Sequence, residues 1–248
     1  MTPPGSVASG AMDLGLEGKV ALVTAASKGL GRASAQALVE EGAKVAINSR
    51  DPERLRATAA ELGADVLALP GDVTDPDAPR RLVQATVERF GGLHILVANA
   101  GGPPKGRAID VDDATLQAAI DANLLTSVRL VREALPHLRA AGWGRICLIA
   151  SSSVKQPIPD LATSNTARAG LWGWAKTAAQ ELVDEGITLN LACPGLHRTQ
   201  RIVDTGFSGR LGDPQDFGRV VAFLCSEPAG FISGTALQVD GAGTLGLL

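Results

Sequence analysis

The stretch Lys19–Arg32, KVALVTAASKGLGR, decides how the rest of the chain is read. Its first half is apolar and rich in β-branched residues, Val20-Ala21-Leu22-Val23-Thr24. Its second half turns through small residues to Gly29 and Gly31 and enters an amphipathic segment, so strand, turn and helix follow one another. At such a turn the first backbone N–H groups of the helix are free to meet a phosphate, and glycine lets the anion come close. A single glycine-bearing turn is a weak signal, because ordinary strand-to-helix turns also use glycine. Its weight comes from the chain around it.

Outward from this unit, the spacing predicts a regular alternation. Leu30, Ala33, Ala37 and Leu38 mark one face of the first helix, stopped at Gly42. A strand follows at Lys44–Asn48, then a helix capped by Asp51-Pro52 and ended at Gly63. Further strands are predicted at 65–69, 95–98, 146–150, 187–192 and 236–239. Helices are predicted from Asp75-Pro76 to Gly91-Gly92, over 112–141, over 161–185 and over 213–225. This pattern implies a single-domain, doubly wound parallel α/β sheet of about seven strands, with helices on both faces and right-handed crossovers. Residues 16–248 form that domain, and residues 1–15, rich in Pro, Gly, Ser and Ala, read as a flexible tail.

In such a sheet ligands bind beyond the carboxyl ends of the strands. The residues expected on that rim are Thr24–Gly31, including Ser27, Lys28 and Leu30, then Ser49-Arg50, Asp72-Val73, Asn99-Ala100-Gly101, Ser151–Ser153 and Pro194-Gly195. Each alone is an ordinary turn. Six small, polar turns on one edge point to a ligand site there.

Composition sets the outer bounds. The chain has 248 residues and is 45% hydrophobic, enough for a substantial core. A net charge of −3, mixed in sign along the chain, supplies no basic footprint for nucleic acid and little for a membrane surface to attract. A small-molecule partner is expected. No apolar run approaches the roughly 20 residues that span a bilayer, and residues 1–11 hold no Lys or Arg to begin a signal peptide. A cytoplasmic protein is expected, with Cys147, Cys193 and Cys225 as buried free thiols. Their spacing matches no metal site.

Together these residues resemble the short-chain dehydrogenase/reductase family over Leu16–Gly243, most closely the 3-oxoacyl-carrier-protein reductases. The family's T-G-x-x-x-G-x-G turn reads Thr24-Ala25-Ala26-Ser27-Lys28-Gly29-Leu30-Gly31, with alanine for the first glycine. If that position needs a positive φ, alanine costs about 1 kcal/mol. The N-N-A-G motif reads Ala98-Asn99-Ala100-Gly101, and Val239-Asp240-Gly241 is similar to the closing strand. The segment from Pro194 and Gly195 through His197 to Thr199 matches the one that contacts the nicotinamide carboxamide in relatives. An acidic residue at the end of the second strand would favour NAD, whereas Ser49 and Arg50 stand there, with Lys28 in the turn. Two cations favour NADP(H) through charge-assisted bonds to a 2′-phosphate.

The resemblance breaks at the proton donor. Relatives carry a Ser-Tyr-x-x-x-Lys constellation, and alignment places Ser151 at its serine, Ser164 at its tyrosine and Arg168 at its lysine. The chain contains no tyrosine. Arg168 can still donate to ribose hydroxyls, whereas a serine hydroxyl is a poor acid near neutral pH. Asn123 matches the asparagine that supports a relay water in relatives. His197 has a side chain suited to proton transfer, although a surface-loop histidine needs no function. Ten residues, 200–209, separate Thr199 from Arg210, a short lid by comparison with relatives, which suggests an open or partner-completed pocket. His94, Trp172 and Trp174 read as packing residues.

The expected activity is reduction of a small carbonyl compound or activated alkene by a homo-oligomer, dimeric or tetrameric as the resemblance implies. The alternative is a cofactor-binding protein with negligible turnover, serving as a sensor or assembly subunit.

Overall fold

The structure, a computed structural model, describes residues 12–246. Seven strands, β1 (Val20–Val23), β2 (Lys44–Ser49), β3 (Leu67–Pro70), β4 (Ile95–Ala98), β5 (Gly144–Ile149), β6 (Ile187–Pro194) and β7 (Ala236–Val239), form one sheet in the order β3-β2-β1-β4-β5-β6-β7. Every pairing is parallel. The near-continuous apolar runs of β1 and β4, buried at every position, are what a sheet covered on both faces requires. The helices are α1 (Gly29–Glu40), α2 (Pro52–Leu62), α3 (Ala78–Phe90), α4 (Asp113–Ile120), α5 (Thr126–Ala140), α6 (Ala162–Leu182), α7 (Gln200–Val203) and α8 (Pro214–Leu224). Among the described residues no helix is long and apolar enough to cross a membrane.

Alternating side chains feed two cores. Leu22, Leu96, Ile146 and Leu189 point to the face covered by Leu82 of α3, Leu130 of α5 and Leu171 of α6. Val23, Val97, Cys147 and Ala192 point to the other, under Leu38 of α1, Leu55 of α2 and Phe217 of α8. A one-residue slip in any strand would exchange these sets, so burial itself pins the register. The predicted alternation is therefore the observed one, and the thiols of Cys147, Cys193 and Cys225 are free and buried.

Three boundaries differ from expectation. Asp77, not Asp75, occupies the N-cap of α3; Asp75 instead accepts from the Asp77 N–H and pairs with Arg81 in the preceding turn. The predicted helix over 112–141 is divided into α4 and α5 by a π-helical turn at Asp121–Leu125, which no apolar periodicity announces. The short helix α7 lies where no helix was expected. Of the predicted tail, residues 1–11 lie outside those described, while Leu14 packs on the second core and its carbonyl accepts from Glu227 N–H at 2.9 Å.

At the amino-terminal edge of the sheet, Trp143 has Lys19 Nζ and the Arg145 guanidinium each 4.2 Å from a ring centroid. Beside it, His94 Nδ1 accepts from Val20 N–H at 3.1 Å, which assigns the ring proton to Nε2. Trp172 and Trp174 are partly buried against the first core. These three residues are packing elements, as read.

Candidate functional site

The strand order reverses between β1 and β4, and there the two carboxyl ends are tied together. Thr24, fully buried, donates from Oγ1 to Asn99 O at 2.7 Å and accepts from Asn99 N–H at 2.8 Å, while Asn99 Nδ2 reaches Ala25 O at 3.3 Å. Ala25 has a φ of +47°, so alanine occupies the strained region that glycine would enter freely. Gly31 is indispensable for a different reason: a Cβ there would lie 2.5 Å from Ala25 O and 2.9 Å from Asn99 Nδ2. The turn is thus drawn tightly against β4. Lys28 is the N-cap of α1 but supplies no side-chain cap, leaving the first N–H groups of the helix for another acceptor.

Beside this turn, Ser27 Oγ and Ser49 Oγ share a hydrogen bond of 2.8 Å. Lys28 and Arg50 are exposed, and Arg50 Nη1 lies 3.8 Å from Asp72 Oδ2. Asp72 also accepts from Thr74, whereas the Val73 side chain is buried in the first core. These residues line the open shoulder of the sheet, outside the main cavity.

That cavity, about 1160 Å³, lies beyond β1, β4, β5 and β6. It unites eleven of the rim and site residues expected from sequence: Leu30, Asn99, Ala100, Ser151, Ser152, Ser164, Arg168, Pro194, Gly195, His197 and Thr199. Gly101 is exposed and does not line it. Ser151 stands two residues beyond β5 and caps a 3-10 turn, accepting from Ser153 N–H at 3.1 Å, so its own hydroxyl hydrogen is left to donate. Ser164 and Arg168, four apart on α6, share a face and are both buried. Ser164 Oγ has no hydrogen-bond partner among the described residues.

Arg168 is the best-held group of the site. Nη1 donates to Ile149 O at 2.8 Å and Nη2 to Asn123 Oδ1 at 2.8 Å, while the buried Nε has no partner among the described residues. Asn123 is presented by the π-helical turn; it does not line the cavity but contacts it through Arg168. Burial pushes the guanidinium down to about 10, with the nearby charge of Arg201 adding to the shift, and it stays charged at neutral pH.

His197 is not a surface-loop residue. It is buried, its Nδ1 lies 3.2 Å from Gly195 O, and its ring meets Phe217 edge-on at a 5.3 Å centroid distance. Packing accounts for that geometry. The short lid does reach the cavity, through Arg201, Ile202, Thr205 and Phe207. Sequence reasoning missed Lys105, Arg201 and Arg210 on the cavity wall, because they come from loops whose path no periodicity encodes. Asp240 was noted only as part of the closing strand motif, and it too reaches the wall.

Comparison with known proteins agrees with this geometry. Residues 24–244 match the family model described as Enoyl-(Acyl carrier protein) reductase. The chain is 33% identical over 243 residues to Dehydrogenase/reductase SDR family member 4 of Sus scrofa, covering 91% of this chain and 87% of the relative. It is 32% identical to the 3-oxoacyl-[acyl-carrier-protein] reductase of Vibrio cholerae, covering 92% and 98%. Among solved structures it resembles L-sorbose reductase from Gluconobacter frateurii complexed with NADPH and L-sorbose, with a TM-score of 0.90, 32% identity and coverage of 96% and 100%. With this sheet order, this crevice and these relatives, the chain belongs to the short-chain dehydrogenase/reductase family.

Proposed function

We propose that the protein is an NADP(H)-dependent reductase of a small carbonyl compound or activated alkene, with Ser164 and Arg168 standing where relatives carry tyrosine and lysine. The observation that carries this reading is a single cavity joining Asn99, Ser151, Ser164, Arg168 and Pro194-Gly195 beside an uncapped helix start.

The residues present fit the dinucleotide. The close approach at Gly31 and the free N–H groups of α1 suit a pyrophosphate, along the turn from Thr24 through Ser27 to Leu30. Ser49, Arg50 and Lys28 would take the 2′-phosphate, and Asp72-Val73 the adenine. The pair between Arg50 and Asp72 is exposed and worth about 0–1 kcal/mol, less than the 1.5–3 kcal/mol typical of a charged hydrogen bond, so Arg50 can turn to a phosphate. Asn99-Ala100-Gly101, Arg168 and the Pro194–Thr199 segment would hold the nicotinamide half. When bound, the nicotinamide supplies the hydride.

The chain's own groups then do three things. Ser151 donates its free hydroxyl hydrogen to the substrate oxygen and orients it. Arg168, charged and held from two sides, stabilises negative charge developing on that oxygen without rearranging. Water reaching Ser164 delivers the proton. A positioned general acid is worth about 10²–10⁴ in rate, or 3–5 kcal/mol, against about 7–11 kcal/mol for orientation of the reactants. Loss of the phenol therefore slows reduction without abolishing it.

On the same reading the protein is a cytoplasmic homo-oligomer. Fully exposed Phe231, in the turn before the edge strand β7, and part-exposed Leu237 on that strand support an apolar subunit contact.

Fluorescence titration with NADPH, followed by a screen of ketones, quinones and enones for NADPH oxidation, tests the proposal. Arg50→Ala is expected to weaken NADPH more than NADH, and equal losses would refute the cofactor assignment. Tight binding with no turnover would favour the sensor or assembly-subunit alternative; no binding would remove both.

A further inference from the structure

The cavity wall carries three cations that the reductase reading leaves unused. Three acidic residues line it, and each is already committed. Asp213 caps α8 through Gln215 N–H, Asp216 pairs with Arg219 at 3.0 Å, and Asp240 accepts from the N–H groups of Ala242 and Thr244. The cations are not committed. Lys105, Arg201 and Arg210 make no ion pair and no side-chain hydrogen bond among the described residues.

Arg201 is the most telling of the three. It projects from the lid helix α7 to the loop after β4, where its guanidinium lies so close to Gly102 that a Cβ there would collide with it. It therefore spans the cavity mouth. Its charge also reaches Arg168, whose buried Nε lacks a partner. Arg201 is exposed, and an anion lying between it and the buried Arg168 would offset the repulsion of the two guanidinium groups. Around them the wall is apolar, with Ile158, Leu161 and Phe207 facing the same space.

We propose that this cavity takes a carbonyl substrate bearing a carboxylate on an apolar body, with Arg201 as the carboxylate receptor and Lys105 and Arg210 attracting it to the mouth. The proposal rests on the reductase reading for the reaction but on separate residues for recognition. A planar carboxylate accepts two parallel N–H bonds from one guanidinium, which fixes its orientation as well as its affinity. The apolar wall holds the remaining carbon chain.

Calorimetric titration of the full chain with hexanoate and with its uncharged isostere hexanamide tests this, with and without saturating NADPH. Hexanoate is expected to bind at least tenfold more tightly, less so at high salt, and Arg201→Gln is expected to reduce the preference below threefold. NADPH affinity should change less than threefold in the same variant. Equal binding of the two probes, or a preference that survives in Arg201→Gln, would overturn the proposal. So would a larger loss of NADPH than of hexanoate in Arg201→Gln, which would assign the cation to the dinucleotide. Hexyl phosphate binding more tightly than hexanoate would overturn the carboxylate as the head group. Failure to bind NADPH would sink the reductase reading, while hexanoate binding to the protein alone still decides the receptor.

Discussion

Arg168 of α6 donates from Nη2 to Asn123 Oδ1 at 2.8 Å, so a charged group and its acceptor 45 residues apart share one bond inside the protein. The π-helical turn makes this possible by turning Asn123 inward at the point where α4 passes into α5. Asn123→Ala removes the acceptor and leaves a buried charge under-bonded. A destabilisation of about 1–3 kcal/mol is expected, read as a lower urea midpoint at unchanged slope. A midpoint within error of the parent's would show that water satisfies Arg168 equally well.

Ala25 holds a φ of +47° at the head of the glycine turn, next to the Thr24–Asn99 pair. Ala25→Gly relieves that strain, worth about 1 kcal/mol at most. In a chain of this size the melting temperature should rise by about 2–4 °C. A fall would mean that the greater freedom of glycine in the unfolded chain outweighs the relief.

His94 ties pH to stability. Burial, helped by the charge of Lys19, holds its imidazole below the ordinary range of about 6.5, and neutral Nδ1 accepts the Val20 N–H. Because the unfolded chain takes up the proton at higher pH than the folded one, stability contributed here is present above about 6.5 and is lost as pH falls toward the lowered folded value. Urea midpoints should decline from pH 7 to 5.5. His94→Gln keeps an acceptor that does not titrate, and its decline over that window should be shallower. Parallel curves for the two proteins would dismiss the role of His94.

Ser164 and Arg168 invite a gain-of-function test of the proposed site. Ser164→Tyr with Arg168→Lys introduces a phenol into the cavity wall, and a working general acid raises turnover by about 10²–10⁴. Steady-state oxidation of NADPH with the best substrate of the screen should therefore increase by at least tenfold in the double variant. A folded double variant no faster than the parent would mean that Ser164 does not face the reacting carbonyl.

Much of this molecule is legible in the linear chain, for identifiable reasons. Strands buried on both faces must be apolar throughout, as Val20–Val23 and Ile95–Ala98 are, and helices between them must repeat with a different period, so the alternation betrays a parallel sheet. Turn residues at strand ends are equally visible, which is why seven of the rim residues expected from sequence meet in one cavity, joined by Ser164, Arg168, His197 and Thr199, which the family resemblance pointed to. Tertiary structure decided what depends on distant backbone. The π-helical turn that aims Asn123, the burial of His197 against Phe217, and the reach of Arg201 across to Gly102 each arise from contacts between segments far apart in the chain. Local propensity records how a residue sits relative to its neighbours three or four positions away, and carries no information about which loop folds over it. Hence the chain alone announces a ligand rim at the strand ends, the family resemblance names a dinucleotide for it, and only the folded protein reveals, on the cavity wall, three cations unpaired among the described residues.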